Sequence, residues 1–417
     1  MEPDPSDRIR TLDLIRGVAV LGILAINVAG FAAADSAAFS PDLPHPGTAG
    51  LWANHAAYLA TLVLFEGKMR ALFSVLFGAS LLLFTERADA AGRDGRQLQA
   101  RRLTWLLVFG YLHFALIWDG DILFLYAAMG FVALALRHWR PRQLLTAAAL
   151  TFALWQVWGA AQWLPSLAAE AAVATGTASP AVQRSHAGDL AEFRKDDARD
   201  QAEARLSWPA QVHAKLAERA DDPLNLIAYN WGETLPWMLL GMALLRTGFF
   251  AGQWSRRRMV WLAGAGLGLG GAATVAFALW AERSHYPEVT MHFALGYALA
   301  LPHLAMAMGY AALLVLAAPR LLRSVAGQQL EAAGRMAFSN YLGTSVVMAT
   351  LCYGWGLGLF GQFGAAQRWT LVLLVWAMIL GWSQPWLARY RQGPLEWAWR
   401  SLTEGRWLPL RRASNVS

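Results

Sequence analysis

Between Leu103 and Leu136 the chain reads LTWLLVFGYLHFALIW, then Asp119-Gly120-Asp121, then ILFLYAAMGFVALAL. A hydrocarbon layer of about 30 Å takes roughly 20 helical residues, so two apolar runs of near-spanning length with a three-residue joint restrict the fold to a bundle inside a bilayer. Similar runs recur along the chain. With 56% hydrophobic residues and 21 Trp among 417, it is more apolar than a soluble domain, for which about 45 to 50% is usual even with Gly counted. Strand alternation is absent, so the spans are read as helices. The expectation is an all-α polytopic membrane helix bundle.

Apolar runs between breakers predict ten spans, near 12–31, 67–84, 103–118, 122–136, 144–164, 226–245, 260–281, 291–316, 336–355 and 369–388. With the N-terminus inside, the Arg-rich loops and tails all fall on one side. They hold Arg87 to Arg102, Arg137 to Arg142, Arg246 to Arg258, Arg320 to Arg335, and Arg389 to Arg412. That is the positive-inside pattern, and it predicts a bacterial-type inner (plasma) membrane protein with both termini cytoplasmic. The net charge of +7 is thereby a topology signal, and nucleic acid is not an expected partner. The lipid bilayer is, and self-association into a homo-oligomer is open to such a chain. Asp13 and Arg16 inside the first run favour a retained helix over a cleaved leader.

The apolar segment 51–65 would invert every later loop if it crossed fully, so it is read as an outer-face or re-entrant helix, placing Glu66, Lys68 and Arg70 toward the outer side. Residues 166–222, rich in Ala, Asp, Arg and Gln, read as one or two solvated helices. The organisation expected is 1–165 N-terminal membrane helices, 166–225 extracytoplasmic insert, 226–389 C-terminal membrane helices and 390–417 cytoplasmic tail. In the tail, Trp397, Trp399 and Trp407 mix with Arg391, Arg400 and Arg406, which suits an interfacial helix.

Ionisable groups in a span cost a few kcal/mol each and are read as functional by default. His113 lies six residues before Asp119, hence about two turns below the outer boundary. Beside Asp119 and Asp121 it suits a general base; Glu66, Lys68, Arg70, Glu233 and His292 lie near outer ends of their own spans. At the inner end Asp13 and Arg16, three residues apart, share a helical face; they form a structural pair or hold a donor phosphate. The same inventory suits a proton-coupled transporter or exporter of a small polar solute. No HExxH-like spacing occurs and the single Cys352 excludes a cysteine cluster, so no metal is assigned.

Several ordered segments together resemble one family: TLDLIRGVAVLGILAINV, EGKMRALFSVLFGAS, LHFALIWDGDILFLYA, GETLPWMLLGMALLRTGFF, GRMAFSNYL and RYRQGPLEWAWRSLT. They look like the YeiB-like proteins, domain of unknown function family 418, over essentially the whole chain except the insert. The resemblance implies kinship with transmembrane acyltransferases, which pass an acyl group from a cytosolic coenzyme A thioester such as acetyl-CoA to a small-molecule or glycan acceptor on the far side. It implies roles for His113, Asp119 and Asp121, which match the family's histidine and WDGD pattern, and for Lys68, Glu233, Arg335, Asn340 and Tyr341 at its other polar positions. The heparan-type relatives place their histidine ahead of the second span, so His55 and His113 both stand as candidate bases. The expected arrangement is donor near Asp13, Arg16 and Arg335, and acceptor near Glu66, Arg70, Glu233, His292, Asn340 and Tyr341, with Lys68 or Arg70 facing the oxyanion.

Overall fold

The computed structural model describes residues 9–42 and 52–412, and the described residues are helical throughout, without a strand. Six helices are long and apolar enough to cross a membrane. They are α1 (Arg10–Ala32), the pair α2 (Trp52–Leu64) and α3 (Lys68–Ala90) taken together, α6 (Pro141–Ala174), α10 (Arg256–Ala265) continued through a π-turn into α11 (Gly271–Arg283), α13 (Ala300–Leu321) and α16 (Ala365–Arg389). The remaining expected spans lie on α4 (Gly95–Leu116), α5 (Leu123–Ala135), α9 (Asp222–Arg246) and α15 (Ala337–Cys352), which fall short in length or hydropathy.

The bundle has a basic end and a cap end. At the basic end, bidentate pairs tie Arg10 to Glu331 and Arg93 to Glu404, and Arg246 reaches Glu86. Here α14 (Val325–Arg335) lies against α1. Close approach needs glycine on both sides: a Cβ on Gly17 would sit 2.0 Å from the Leu330 carbonyl oxygen, and one on Gly334 1.8 Å from that of Asp13. Small residues are how helices approach within a membrane, where no hydrophobic drive separates protein from lipid. The tail helix α17 (Pro394–Glu404) is more than an interfacial anchor. Its Glu396 accepts from the Phe338 and Ser339 amides at 2.8 and 3.1 Å and from the Ser339 hydroxyl at 2.5 Å, capping α15. An anion over exposed helix amides is stabilised by both hydrogen bonding and dipole.

At the cap end, α6 runs to Ala174, beyond the expected boundary at 165, because Pro165 removes one amide without ending the helix. The insert is then α7 (Pro180–Glu203) and α8 (Trp208–Glu218). Helix α7 has no fully buried residue, as expected of a solvated helix. Helix α8 instead docks onto the bundle. Trp208 donates to the Leu116 carbonyl at 2.7 Å, Lys215 to that of Phe114 at 3.2 Å, and Trp355 donates to Gln211 at 3.0 Å. Ser36 and Asp35, in the short 3₁₀ turn after α1, bind Asp197 and Asp200.

Helices α2 and α3 form one broken helix. The chain unwinds at Phe65-Glu66-Gly67, where Gly67 takes φ +70°, a left-handed conformation that favours glycine. The break lies at mid-depth, because Met69 packs on Gly22, next to the central residue of α1. Glu66, Lys68 and Arg70 are therefore inside the bundle, not at its outer side. Sequence position alone put them at a span's end; the half-depth entry of α2 moves them inward.

Candidate functional site

Helices α4 and α5 form a hairpin whose turn is recessed. Helix α5 has only 13 residues, so it starts near mid-bundle, and Asp119-Gly120-Asp121 lies under the cap. Asp121 folds back beside His113, Oδ1 to Nδ1 at 2.8 Å, and its Oδ2 accepts the Phe124 amide at 2.9 Å at the start of α5. Both side chains are at most 2% exposed. A carboxylate only accepts, so Nδ1 carries the proton and Nε2, buried without a partner, has its lone pair available.

Asp119 points elsewhere. Its Oδ2 meets Arg219 of the cap at 3.4 Å, and Arg219 also binds Glu203 at 2.8 Å and Asp222 at 3.6 Å. Burial alone would raise the Asp119 carboxyl, but Lys215 and Arg219 outweigh it and hold the group below its usual range. The two aspartates of the motif thus divide: Asp121 orients the histidine and Asp119 fastens the cap.

A cavity of about 210 Å³ lies between α1, α3, α4, α5 and α15. Its mouth at the basic end carries Arg16, Arg102 and Arg335, with Glu396 and Trp399 of α17 beside them; its inner part is bounded by Ile23, Phe73, Ile122, Tyr126 and Tyr341. Arg16 is held by Asp13 at 2.6 Å and Ser80 at 2.7 Å. Among the described residues no carboxylate lies within ion-pair distance of Arg102; it stacks on Phe84 and Trp399, 4.1 and 4.4 Å from the ring centroids. At the inner part, Tyr341 packs edge-on to His113 with ring centroids 5.4 Å apart, and its buried hydroxyl lies against the Ile122 backbone amide without a well-aligned hydrogen bond. Opposite, the Tyr126 hydroxyl meets Ser74 at 2.9 Å and the Arg70 carbonyl at 3.3 Å. Arg70 pairs with Glu233 at 3.1 Å.

The other expected site residues separate. Lys68 caps α2, its ammonium on the Leu62 carbonyl at 2.7 Å. His55 is held between carboxylates, Asp42 at 3.0 Å and Glu282 at 3.1 Å, so both ring nitrogens are engaged. His292 donates to or accepts from nothing at the cavity; it contacts its own helix, at the Glu288 carbonyl 2.8 Å away, and stacks between Phe39 and Phe193. Asn340 is saturated by Ala333, Ser383 and Trp382. Glu66 stays within electrostatic reach of Lys68 and Arg70. Sequence reasoning did not single out Arg102, read with the inner arginines chiefly as a topology signal; Arg219, read as part of a solvated insert; or Tyr126, which lies in an otherwise apolar run. Among the described residues no three His, Cys, Asp or Glu converge as metal ligands would.

Six apolar helices long enough to cross a membrane mark a multi-pass membrane protein, and the bundle they belong to encloses a basic-mouthed cavity and a buried His-Asp pair. Residues 244–406 match the family model described as protein of unknown function DUF418. The uncharacterized protein YxaH of Bacillus subtilis is 30% identical over 99% of this chain and 98% of its own length. The uncharacterized protein YeiB of Escherichia coli is 32% identical over 94% and 95%. The chain belongs to this YeiB-like DUF418 family. No solved structure matches it.

Proposed function

We propose that the protein is a transmembrane acyltransferase that moves an acyl group from a cytosolic acyl-CoA, acetyl-CoA in the simplest case, to a hydroxyl or amine acceptor such as a glycan on the far side of an inner membrane. The reading includes ten crossings and cytoplasmic termini, supported by the arginines gathered at the basic end. The observation that carries it is the cavity joining cationic Arg16, Arg102 and Arg335 to Tyr341, behind which His113 presents an unpartnered Nε2. The arginines would hold donor phosphates, and the apolar cavity wall the thioester arm. His113 would take the acceptor proton as the acceptor oxygen or nitrogen bonds to the acyl carbon. The C–S bond then breaks, and the thiolate leaves with the proton returned by the imidazolium. With Lys68 committed to Leu62, the Tyr341 hydroxyl is the better-placed donor to the oxyanion. Acceptor entry requires α8 to part from the recessed turn.

The test is acetyl-CoA binding and thiol release by purified protein. His113→Ala should bind and not transfer, whereas His55→Ala should retain transfer. Absence of both binding and transfer to any outer-face glycan or amine refutes the reading. A second reading, a proton-coupled transporter, is favoured by the α2–α3 break, since broken helices with charges at the break line transport sites. Proton-dependent solute movement without coenzyme A would support it instead.

A further inference from the structure

Away from the cavity, at the cap end of α16, Arg368 is 3% exposed. Among the described residues no carboxylate lies within ion-pair distance of it, and its Nη1 is buried without a hydrogen-bond partner. The titratable side chain near enough to act on it electrostatically is Tyr58, a neutral phenol whose hydroxyl donates to the Ala38 carbonyl at 3.2 Å. Of the acids toward this end, Asp42 and Glu282 hold His55, and Glu66 acts on Tyr58 without being an ion-pair partner of Arg368. An unpaired buried cation costs several kcal/mol even after local relaxation, and a membrane setting offers little water to offset it. The charge is also placed where the backbone adds to it. Arg368 stands in the first turn of the 25-residue α16, whose N-terminal amides carry the positive end of the helix dipole. Asn54 from α2 takes the Ala366 amide at 3.0 Å, and Gln367 takes that of Gly364 at 3.1 Å, so side chains fasten the start of the helix that carries the guanidinium.

We propose that Arg368 is the core of a binding site for a phosphate group, distinct from the cavity. Guanidinium matches a phosphate with two parallel N–H donors and is weakly hydrated, which suits a buried pair better than an ammonium would. The helix N-terminus adds the same preference. Two sources carry that chemistry, the headgroup of an anionic bilayer lipid and free inorganic phosphate. Surroundings suit the former: Trp52, 80% exposed at the start of α2 and two residues from the Asn54 that caps α16, is a residue type that settles at the headgroup level.

The site can be tested independently of any transfer activity. Delipidated full-length protein in detergent is titrated with inorganic phosphate, with short-chain phosphatidylglycerol, and with sodium chloride at matched ionic strength, while the melting temperature is followed. A saturable upward shift with phosphatidylglycerol alone assigns a lipid headgroup; a shift with inorganic phosphate as well assigns a general phosphate site. In either case Arg368→Gln loses the shift and Arg368→Lys, which keeps the charge but not the fork, shows a smaller one. Wild-type protein that responds to neither phosphate source beyond the chloride control overturns the proposal, as does an undiminished shift in Arg368→Gln. Should the Gln variant not fold, the wild-type titration and the Lys variant still decide.

Discussion

Asp121 offers the sharpest test of the site, because its two oxygens do separable things. Oδ1 fixes the His113 proton on Nδ1, and Oδ2 satisfies the Phe124 amide. In Asp121→Asn the side-chain oxygen still accepts from Phe124, while the amide now faces His113 as a donor. The imidazole answers by moving its proton to Nε2, so every hydrogen bond survives and only its charge assistance is lost, about 1 kcal/mol. The lone pair, however, has left Nε2, the nitrogen proposed to take the acceptor proton, and catalysis should fall by roughly 10² to 10⁴. Asp121→Ala differs in kind. It removes an acceptor at a helix start, about 0.5 to 2 kcal/mol, and strands a buried imidazole N–H, about 1 to 3 kcal/mol. Together that is roughly 1.5 to 5 kcal/mol. Thermal melts in detergent read the stability difference, acyl transfer reads activity, and the ¹⁵N shifts of histidine read the tautomer. An Asn variant as unstable as Ala would refute the division of labour between the two oxygens. An Asn variant with wild-type transfer would refute His113 as the base.

Three further outcomes are expected. Arg219→Ala leaves Asp119, Glu203 and Asp222 without their shared cation; the cap should loosen by about 2 to 4 kcal/mol, seen as protease cleavage within residues 175–222 while the bundle's melt is unchanged. Asp200 is pushed up to about 6, first by burial and then by Asp119. With its folded value above the unfolded one, its contribution to cap docking is full below about pH 4 and is lost as pH rises through 6, at most about 3 kcal/mol and less where water still reaches it. Hydrogen exchange of α7, corrected for the chemical rate, should show tighter docking at pH 5 than at pH 8, and Asp200→Asn should reduce the difference, the remainder coming from Asp35, likewise pushed up to about 6 by burial and then by Asp197. Gly67→Ala puts a Cβ 1.8 Å from His303 Nδ1 at φ +70°; left-handed strain and overpacking sum to about 2 to 5 kcal/mol, and an unchanged melting temperature would show that the α2–α3 break is not as described.

The chain's helices, its basic end and the polar hairpin were legible because each is written locally: run length, arginine position, and His113 within eight residues of Asp121. Depth was not. Whether a turn reaches the bilayer surface depends on how long its helices are relative to their neighbours, and α5 is short in a bundle whose α1 has 23 residues. The DGD turn therefore sank, Asp121 met His113, and α8 filled the space above. Likewise Lys68 looked like an oxyanion donor until the break in α2–α3 exposed a carbonyl for it to cap. His55 and His292 fit the composition of an active site, yet they lie on elements that pack away from the cavity.

Arg102 shows why part of such a site stays hidden even to a careful reading. The positive-inside rule and a cytosolic anion site place arginines at the same end of the same helices, so position cannot separate the two causes. Pairing can. Arg10, Arg93 and Arg246 each meet a glutamate across the basic end, and charges so neutralised do structural and topological work. Among the described residues Arg102 meets none; Phe84 and Trp399 stack on it, with Arg16 and Arg400 within electrostatic reach. Like charges gathered at the mouth of an apolar cavity repel one another, and rings facing a guanidinium offset only about 0.5 to 2 kcal/mol of that. An anion entering the cavity removes the repulsion, which is why Arg102, and not the more conspicuous paired arginines, is the residue whose replacement by Gln should weaken donor binding most while leaving the melt nearly unchanged.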